Sequence, residues 1–330
     1  MNHSQKQNTI DDRRRVAVIG AGNVGAATAF ALLHSAVAGE IVLVDKDGRK
    51  AEGEAMDLSH AAPLLGPPVR VSAGDYAEAA RSTIAVVTAG VDSKPGETRL
   101  DLLGRNAPIV RECVGELRSH GFSGVLIVVT NPADVLAYIA QEASGLPPEQ
   151  VIGSGTLIDT ARLLQTLAES LNVEPRAVHA YVLGEHGDSS VTALSCAQVA
   201  GVPLKQFAQI SGTNVNQDEI TERVRGAAYE VVERKGHTAF AIGAAVTRIC
   251  EAVLRDEHAV LPVAVRMAGH YGGIKNVYLS TPCIVGAGGI ERVIELPLDT
   301  KEMDGLRASA EVLTEAIRSL RETNGSESAS

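Results

Sequence analysis

The sequence predicts an α/β protein in which a doubly wound parallel sheet is followed by a mixed α+β domain. Three observations carry this expectation. Through the first half, short and almost continuously apolar Val/Ile runs alternate with helical patterns, the mark of parallel strands covered on both faces. A glycine cluster follows the first of these runs and opens a helix. After about residue 150 the alternation lapses, and two strand-like runs joined by glycines appear near the end, a hairpin signal.

In order along the chain, residues 1–14 are polar and are expected as a disordered tail, as are the Gly/Ser-rich residues 324–330. Strands are expected at 15–20, 40–45, 84–89 and 125–130, placing the sheet domain over 15–152. The mixed α+β domain covers 153–323. It begins with a helix at 156–171, on which Leu157, Ala161, Leu164, Ala168 and Leu171 form an apolar stripe and Asp159 and Arg162 take the opposite face. Strand-like material follows at 177–183 and 190–199, then a helix at 238–255. Strands at 277–284 and 291–295 are joined by Gly286-Ala287-Gly288-Gly289, and an amphipathic helix at 301–322 closes the chain. The 286–289 glycines read as a hairpin turn, because no crossover unit follows them.

The chain has 330 residues, 45% of them hydrophobic, enough for a sizeable core. Its formal net charge of −10 argues against nucleic acid or an anionic membrane as a partner. An anionic substrate must then be held by a local cluster of positive charge. The four cysteines (Cys113, Cys196, Cys250 and Cys283) lack metal-ligand spacing and read as reduced thiols, and no metal site is expected. No apolar run approaches the ~18 residues of a membrane span. Residues 1–15 lack the apolar stretch of a secretory signal, so the expected location is cytoplasmic.

Gly20-Ala21-Gly22-Asn23-Val24-Gly25 is a G-x-G-x-x-G between a strand and a helix. Glycines there permit a tight turn and close approach of backbone to a pyrophosphate, and the helix N-terminus offers N–H groups to it. The next strand ends in Asp45, 20 residues after Gly25. An acid at that place accepts hydrogen bonds from ribose hydroxyls and repels a 2′-phosphate. Together these features make the first half a Rossmann-type domain and favour NAD over NADP.

Three further segments carry chemistry. Residues 89–103 combine Pro, Gly and charges and suit a mobile lid that brings Arg99 over a ligand; a plain solvated loop is the alternative. Asn131 closes the fourth strand, where the carboxyl ends of parallel strands bind ligands; a turn-capping Asn before Pro132 is the alternative. Asp159 and Arg162 are three apart on a helix and read either as a surface ion pair or as a working pair. In the second case Arg162 clamps a carboxylate and Asp159 fixes the tautomer of a histidine. His186, in Gly184-Glu185-His186-Gly187-Asp188, is the available base.

These segments, in this order, resemble the lactate/malate dehydrogenase family, and its lactate branch more than its malate branch. The resemblance covers about residues 15–320. It implies reversible hydride transfer between NADH and pyruvate giving L-lactate, with a broader range of 2-oxo acids as the alternative activity. It assigns proton exchange to His186 and the support of that histidine to Asp159. Arg162 then binds the substrate carboxylate and Arg99 polarises the carbonyl. Asn131, Thr238 and Ser93 line the substrate site. Cofactor contacts fall to Gly20, Gly22, Val24, Gly25, Asp45, Lys50, Tyr76, Gly90, Val129, Asn131 and Ser154. The family is usually tetrameric or dimeric, so a homo-oligomer is expected. A catalytically silent protein on the same fold is the competing reading; it calls for damage to the catalytic set, yet His186, Asp159, Arg162 and Arg99 are all present.

Two departures from the family pattern generate predictions. Ser93 stands where the lactate branch usually has Gln and the malate branch Arg. It offers no cation for a second carboxylate, which disfavours malate, and it leaves more room than Gln. Ser93→Gln is therefore expected to lower the ratio of kcat/KM for 2-oxobutyrate over pyruvate; a ratio that rises in the variant removes this reading of Ser93. Many bacterial members bind fructose 1,6-bisphosphate with a His, matched by His179, and an Arg, replaced by Leu164. Micromolar fructose 1,6-bisphosphate is expected to leave the rate unchanged, and strong activation contradicts this.

Overall fold

The computed structural model describes residues 14–66, 68–93 and 96–327, with side chains to residue 322. The first half runs β1 (Arg15–Ile19), α1 (Asn23–Ser35), β2 (Glu40–Val44), α2 (Gly48–Leu65), β3 (Arg70–Ala73), a short α3 (Tyr76–Ala79), β4 (Ile84–Val87), α4 (Arg99–Ser119), β5 (Val125–Val128), α5 (Ala133–Ser144) and β6 (Val151–Gly153). All six strands pair in parallel, in the order β6-β5-β4-β1-β2-β3. The chain passes from β1 outward to β3 and then returns to the other side of β1 with β4. That reversal opens a crevice at the carboxyl ends of β1 and β4, where ligands bind in such sheets.

The second half begins with α6 (Leu157–Leu171). Five two-residue strands follow: β7 (Val178–His179), β8 (Val182–Leu183), β9 (Val191–Thr192), β10 (Gln198–Val199) and β11 (Val202–Pro203). Then come α7 (Leu204–Ser211), α8 (Gln217–Lys235), α9 (Phe240–Leu254), β12 (Ala259–Gly269), a short turn α10 (His270–Gly273), β13 (Ile274–Gly286), β14 (Gly289–Val293) and α11 (Thr300–Glu327). β12 pairs antiparallel with β6 (Ala264 opposite Gly153), and β13 and β14 extend the same sheet to nine strands. The main core runs from Val16 and Leu126 through Leu279 to Leu313; a second, smaller cluster joins Leu163, Leu167 and Leu171 of α6 to Val182, Leu204 and Val224.

Several expectations are corrected. Strands β3 and β6 were not expected. The boundary drawn at 152/153 falls inside β6. The strand-like runs 177–183 and 190–199 are broken into β7 to β10 with turns between them, and β12 is an additional long strand. On α6 the buried positions are Ile158, Asp159, Thr160, Leu163, Thr166, Leu167, Ala168 and Leu171, while Ala161 is exposed and Leu157 and Leu164 are half-buried. The helix is apolar on two sides, and the side that packs is the one carrying Asp159. Arg14, expected in the tail, is fixed: its Nε and Nη2 donate to the carbonyls of Val37 (2.6 Å) and Ala36 (3.1 Å). The rest of that tail, residues 1–13, lies outside the described residues. At the other end α11 extends through Glu327, four residues into the expected second tail, because each added residue gains one hydrogen bond on a helix already anchored by Leu313, Ile317 and Leu320. Residues 328–330 lie outside the described residues.

α9 crosses α1 closely through Gly243, where a Cβ would stand 2.8 Å from the carbonyl oxygen of Ala27. A larger residue must push apart the two helices that begin at the glycine cluster and just after Thr238. Gly243→Val is expected to lower stability by ~1–3 kcal/mol, read from urea denaturation; an unchanged midpoint and slope contradict this packing.

Candidate active site

The crevice is built first from glycine geometry. Gly20 leaves β1 with φ +105°, and a Cβ on it would lie 2.6 Å from the backbone N of Ala89. Gly25 is packed against the turn: its Cβ would meet the Gly20 carbonyl oxygen at 1.8 Å. Gly22, the N-cap of α1, faces open space, and its freedom leaves the helix N-terminus approachable. Val24 follows in the first turn, half-buried. Asp45 sits at the end of β2 with its carboxylate tied to the same turn, accepting from Ala21 N–H (2.7 Å) and Asp47 N–H (3.0 Å). The set fits a dinucleotide: a cradle closed by glycines on the strand side, open donors at the helix end, and an acid beside it.

Other expected cofactor positions line the ends of the central strands. Gly90 follows β4, where a Cβ would stand 2.4 Å from Thr130 Cγ2. Val129 and Ser154 follow β5 and β6, both buried, with N–H groups donating to Val87 and Val128 carbonyls (2.9 Å each). Lys50 is exposed in the first turn of α2. Tyr76 is half-buried beside Cys113 of α4, and burial pushes its pKa above the ordinary range.

At the other end of the crevice, α6 and the loop after β8 bring the predicted catalytic residues together. Asp159 is 7% exposed. One of its carboxylate oxygens lies 2.5 Å from His186 Nδ1, and the other accepts from Arg162 Nη1 at 2.8 Å. Burial by itself raises the Asp159 pKa, but the facing His186 and Arg162 charges offset this and hold it below the usual carboxylate value. Burial likewise lowers His186, and the Asp159 carboxylate more than compensates, with Asp134 adding to it and Arg162 opposing. The imidazole pKa is raised above its usual 6.5. With Nδ1 held by Asp159, the Nε2 atom is the one left to exchange a proton.

Arg99 lies over this loop. Its guanidinium pairs with Glu185, reaches Asp188 at 3.7 Å, and covers the position of Gly187, where a Cβ would stand 2.1 Å from it. The expected lid is shorter than 89–103. Arg99 starts α4, because Thr98 and Asp101 form a capping box: Thr98 Oγ1 accepts from Asp101 N–H (3.1 Å) and Asp101 Oδ2 accepts from Thr98 N–H (3.2 Å). Ser93 is exposed in the remaining coil, while Lys94 and Pro95 lie outside the described residues. Arg105 clips that coil to α4, donating to the Asp92 carbonyl (2.7 Å) and pairing with Glu97 (2.8 Å). Asn131 is exposed and joined to Pro132 by a cis peptide bond. Thr238 is half-buried in the coil between α8 and α9.

Three residues of the site were not singled out from the sequence. Asn106 is buried in α4. It accepts from Val91 N–H (2.8 Å) and donates to the Val91 (3.2 Å) and Asn131 (2.8 Å) carbonyls, tying the base of the lid to the end of β5. Glu185, also buried, receives Arg99 and the Ser189 hydroxyl (2.5 Å) while its own N–H donates to Ser309 Oγ (2.8 Å). Asp134, 2% exposed, accepts from the backbone N–H of His186 at 2.8 Å. The available signal was an acid inside the wholly apolar run of α5, since unpaired acids are almost never buried.

With this geometry in place, two family models account for nearly the whole chain: the NAD-binding domain of lactate/malate dehydrogenases at residues 14–153 and their α/β C-terminal domain at residues 156–323. The chain belongs to the lactate/malate dehydrogenase family. The L-lactate dehydrogenase of Moorella thermoacetica is 46% identical over 309 residues, covering 93% of this chain and 97% of that one. The L-lactate dehydrogenase of Thermoanaerobacter sp. (strain X514) is 43% identical over 309 residues, covering 93% and 99%. Among solved structures, a lactate dehydrogenase from a Medee basin deep-sea metagenome library superposes with a TM-score of 0.90 at 39% identity, covering 94% of this chain and 99% of that one. The ligand-bound minor L-lactate dehydrogenase of Enterococcus mundtii gives 0.90 at 38% identity, covering 93% and 98%. As in the rest of this family, the N-terminal half is an NAD-binding Rossmann domain.

Proposed function

We propose that this family member is an NAD-dependent L-lactate dehydrogenase, interconverting pyruvate and L-lactate. The observation that carries the reading is the His186–Asp159–Arg162 cluster at the crevice: a half-buried proton donor, its buried charged support and a half-buried cation in one bonded group. Relatives named L-lactate dehydrogenase at 43–46% identity favour pyruvate over a broader set of acids.

In this reading Arg162 binds the substrate carboxylate and Asn131, Thr238 and Ser93 line the pocket. Bound against Gly20, Gly22, Val24, Gly25 and Asp45, NADH supplies the hydride. The remaining cofactor contacts are Lys50, Tyr76, Gly90, Val129, Asn131 and Ser154. Protonated His186 gives its Nε2 proton to the ketone oxygen. Asp159 stabilises the imidazolium before transfer and keeps the neutral ring in the tautomer that can take the proton back. Arg99 faces the negative charge that develops on the oxygen. Residues 15–152 carry most of the cofactor contacts, and 153–323 contribute Asp159, Arg162, His186 and Thr238 to the substrate site. The surface supports a homo-oligomer, a tetramer or a dimer, since Phe30 of α1 and Phe240 of α9 line one apolar groove and Phe240 is 78% exposed. Among the described residues no helix is long and apolar enough to cross a membrane. A cytoplasmic enzyme that regenerates NAD at the pyruvate end of glycolysis, by fermentation to lactate, completes the reading.

Pyruvate reduction needs protonated His186. Because its pKa is raised above 6.5, reduction is expected to fall as pH rises through that raised value, while lactate oxidation rises over the same interval. The test is the initial rate of NADH oxidation with pyruvate, 2-oxobutyrate, phenylpyruvate and oxaloacetate, for the wild type and for His186→Asn. Pyruvate is expected to be fastest, with the variant slower by ~10²–10⁴-fold. A maximum on oxaloacetate, or an unimpaired variant, overturns the assignment.

A further inference from the structure

The role just given to His186 leaves one buried carboxylate beside it without an explanation. Asp134 is the second residue of α5, in the run Ala133-Asp134-Val135-Leu136-Ala137-Tyr138-Ile139-Ala140, every member of which is buried. Its Oδ2 accepts from the backbone N–H of His186 at 2.8 Å, while its Oδ1 is buried with no hydrogen-bond partner among the described residues. An asparagine could accept the same N–H and expose no charge to burial. Keeping an acid here costs desolvation, which pushes Asp134 up to about 7; the His186 N–H and ring oppose that rise, and Glu185 and Asp159 add to it. The charge therefore has a use only if something positive faces it.

The groups around His186 identify that partner. From α6 it meets Asp159 and Arg162, and from α5 Asp134. Glu185 and Asp188 lie on its own loop, and Arg99 comes from α4. Glu185 is committed to Arg99 and Ser189, Asp188 is reached by Arg99, and Asp159 is shared between His186 and Arg162. Among the described residues, Asp134 alone in this set has neither a cation of its own nor a second donor.

We propose that Asp134 is a positioning residue for His186: it pins the main chain of the catalytic loop to α5 and provides, with Asp159, the negative charge that faces the imidazolium. This rests on the reading of His186 as the proton donor. Asp134 touches no substrate; it acts through the histidine, along a path separate from the ring contact made by Asp159. The two carboxylates come from different halves of the chain, Asp134 from the end of the parallel sheet and Asp159 from α6, so the protonation of one side chain registers how the two halves meet.

The experiment compares full-length wild type with Asp134→Asn and Asp134→Ala. Histidine-labelled protein is titrated by NMR, and the His186 ring signal is assigned by its loss in His186→Asn. In Asp134→Asn, which keeps an acceptor for the N–H, His186 is expected to titrate lower by at least roughly half a pH unit. The alkaline fall of kcat/KM for pyruvate moves the same way. In Asp134→Ala, kcat is expected to drop by ~10–100-fold, more than in Asp134→Asn, with the KM for NADH unchanged. A purely structural role lowers the melting temperature of both variants and leaves the titration where it was. An unmoved His186 titration in folded Asp134→Asn overturns the proposal, and this variant decides the matter even if Asp134→Ala fails to fold. If the titration moves but the wild type reduces no pyruvate, the charge coupling stands and the functional reading fails. If pyruvate is reduced and the titration is unmoved, this proposal alone fails.

Discussion

The buried carboxylate of Asp159 constrains everything around it. A charge with 7% exposure persists only where opposite charge and donors replace the water it has lost, and removing one partner of such a pair costs ~3–5 kcal/mol. Asp159 meets that requirement with Arg162, one turn along α6, and His186, which arrives from a loop 27 residues later. The loop must therefore be held at a fixed distance from α6. Short strands β8 and β9 on either side of it, the Glu185–Ser309 bond to α11 and the His186–Asp134 bond to α5 do so from three directions. The same contacts that make a buried acid tolerable occupy Nδ1 of the His186 ring and leave its Nε2 outside the pair.

The parts of the fold legible in the sequence are those where physics writes a local pattern. The strands β1, β2, β4 and β5 sit in the middle of the sheet, covered on both faces, and their unbroken Val/Ile runs say so. β3, at the sheet edge, is Arg70-Val71-Ser72-Ala73 and carries no such run. β6 is three residues long and ends in glycine. β12 contains Pro262 and Arg266, which disguise a strand whose neighbours lie across a hairpin and in the other half of the chain. The misread face of α6 has the same origin. With apolar residues on two sides, periodicity offers two stripes, and only the tertiary partners of Leu163 and Leu167 select between them.

The site divides in the same way. The glycine turn, Asp45, His186, Asp159 and Arg162 announced themselves by spacing or by company, and the structure ties Asp45 to the glycine turn and brings His186 and Arg162 onto Asp159. Asn106, Glu185 and Asp134 did not, because much of their bonding is to main-chain groups or residues far away in sequence: Asn106 bonds Val91 and Asn131, and Asp134 bonds the N–H of a residue 52 positions on. No residue type is required of a backbone partner, so no motif records such a bond.

The sheet has one further consequence, for how the chain can be taken apart. β6 closes the parallel set on one side and receives β12 on the other, so the hydrogen-bonded surface passes without interruption from the NAD-binding half to the C-terminal α/β half, over a common apolar interior. A fragment ending near residue 153 keeps every strand of the nucleotide fold yet bares the far edge of β6 and the apolar faces once covered by β12 and β13. Such an edge invites pairing with other molecules. The halves are thus separable in description but not as materials: grafting a different C-terminal half onto this nucleotide half requires carrying β12 along as the seam, and shuffling across this family should succeed only where the crossover respects that strand pair.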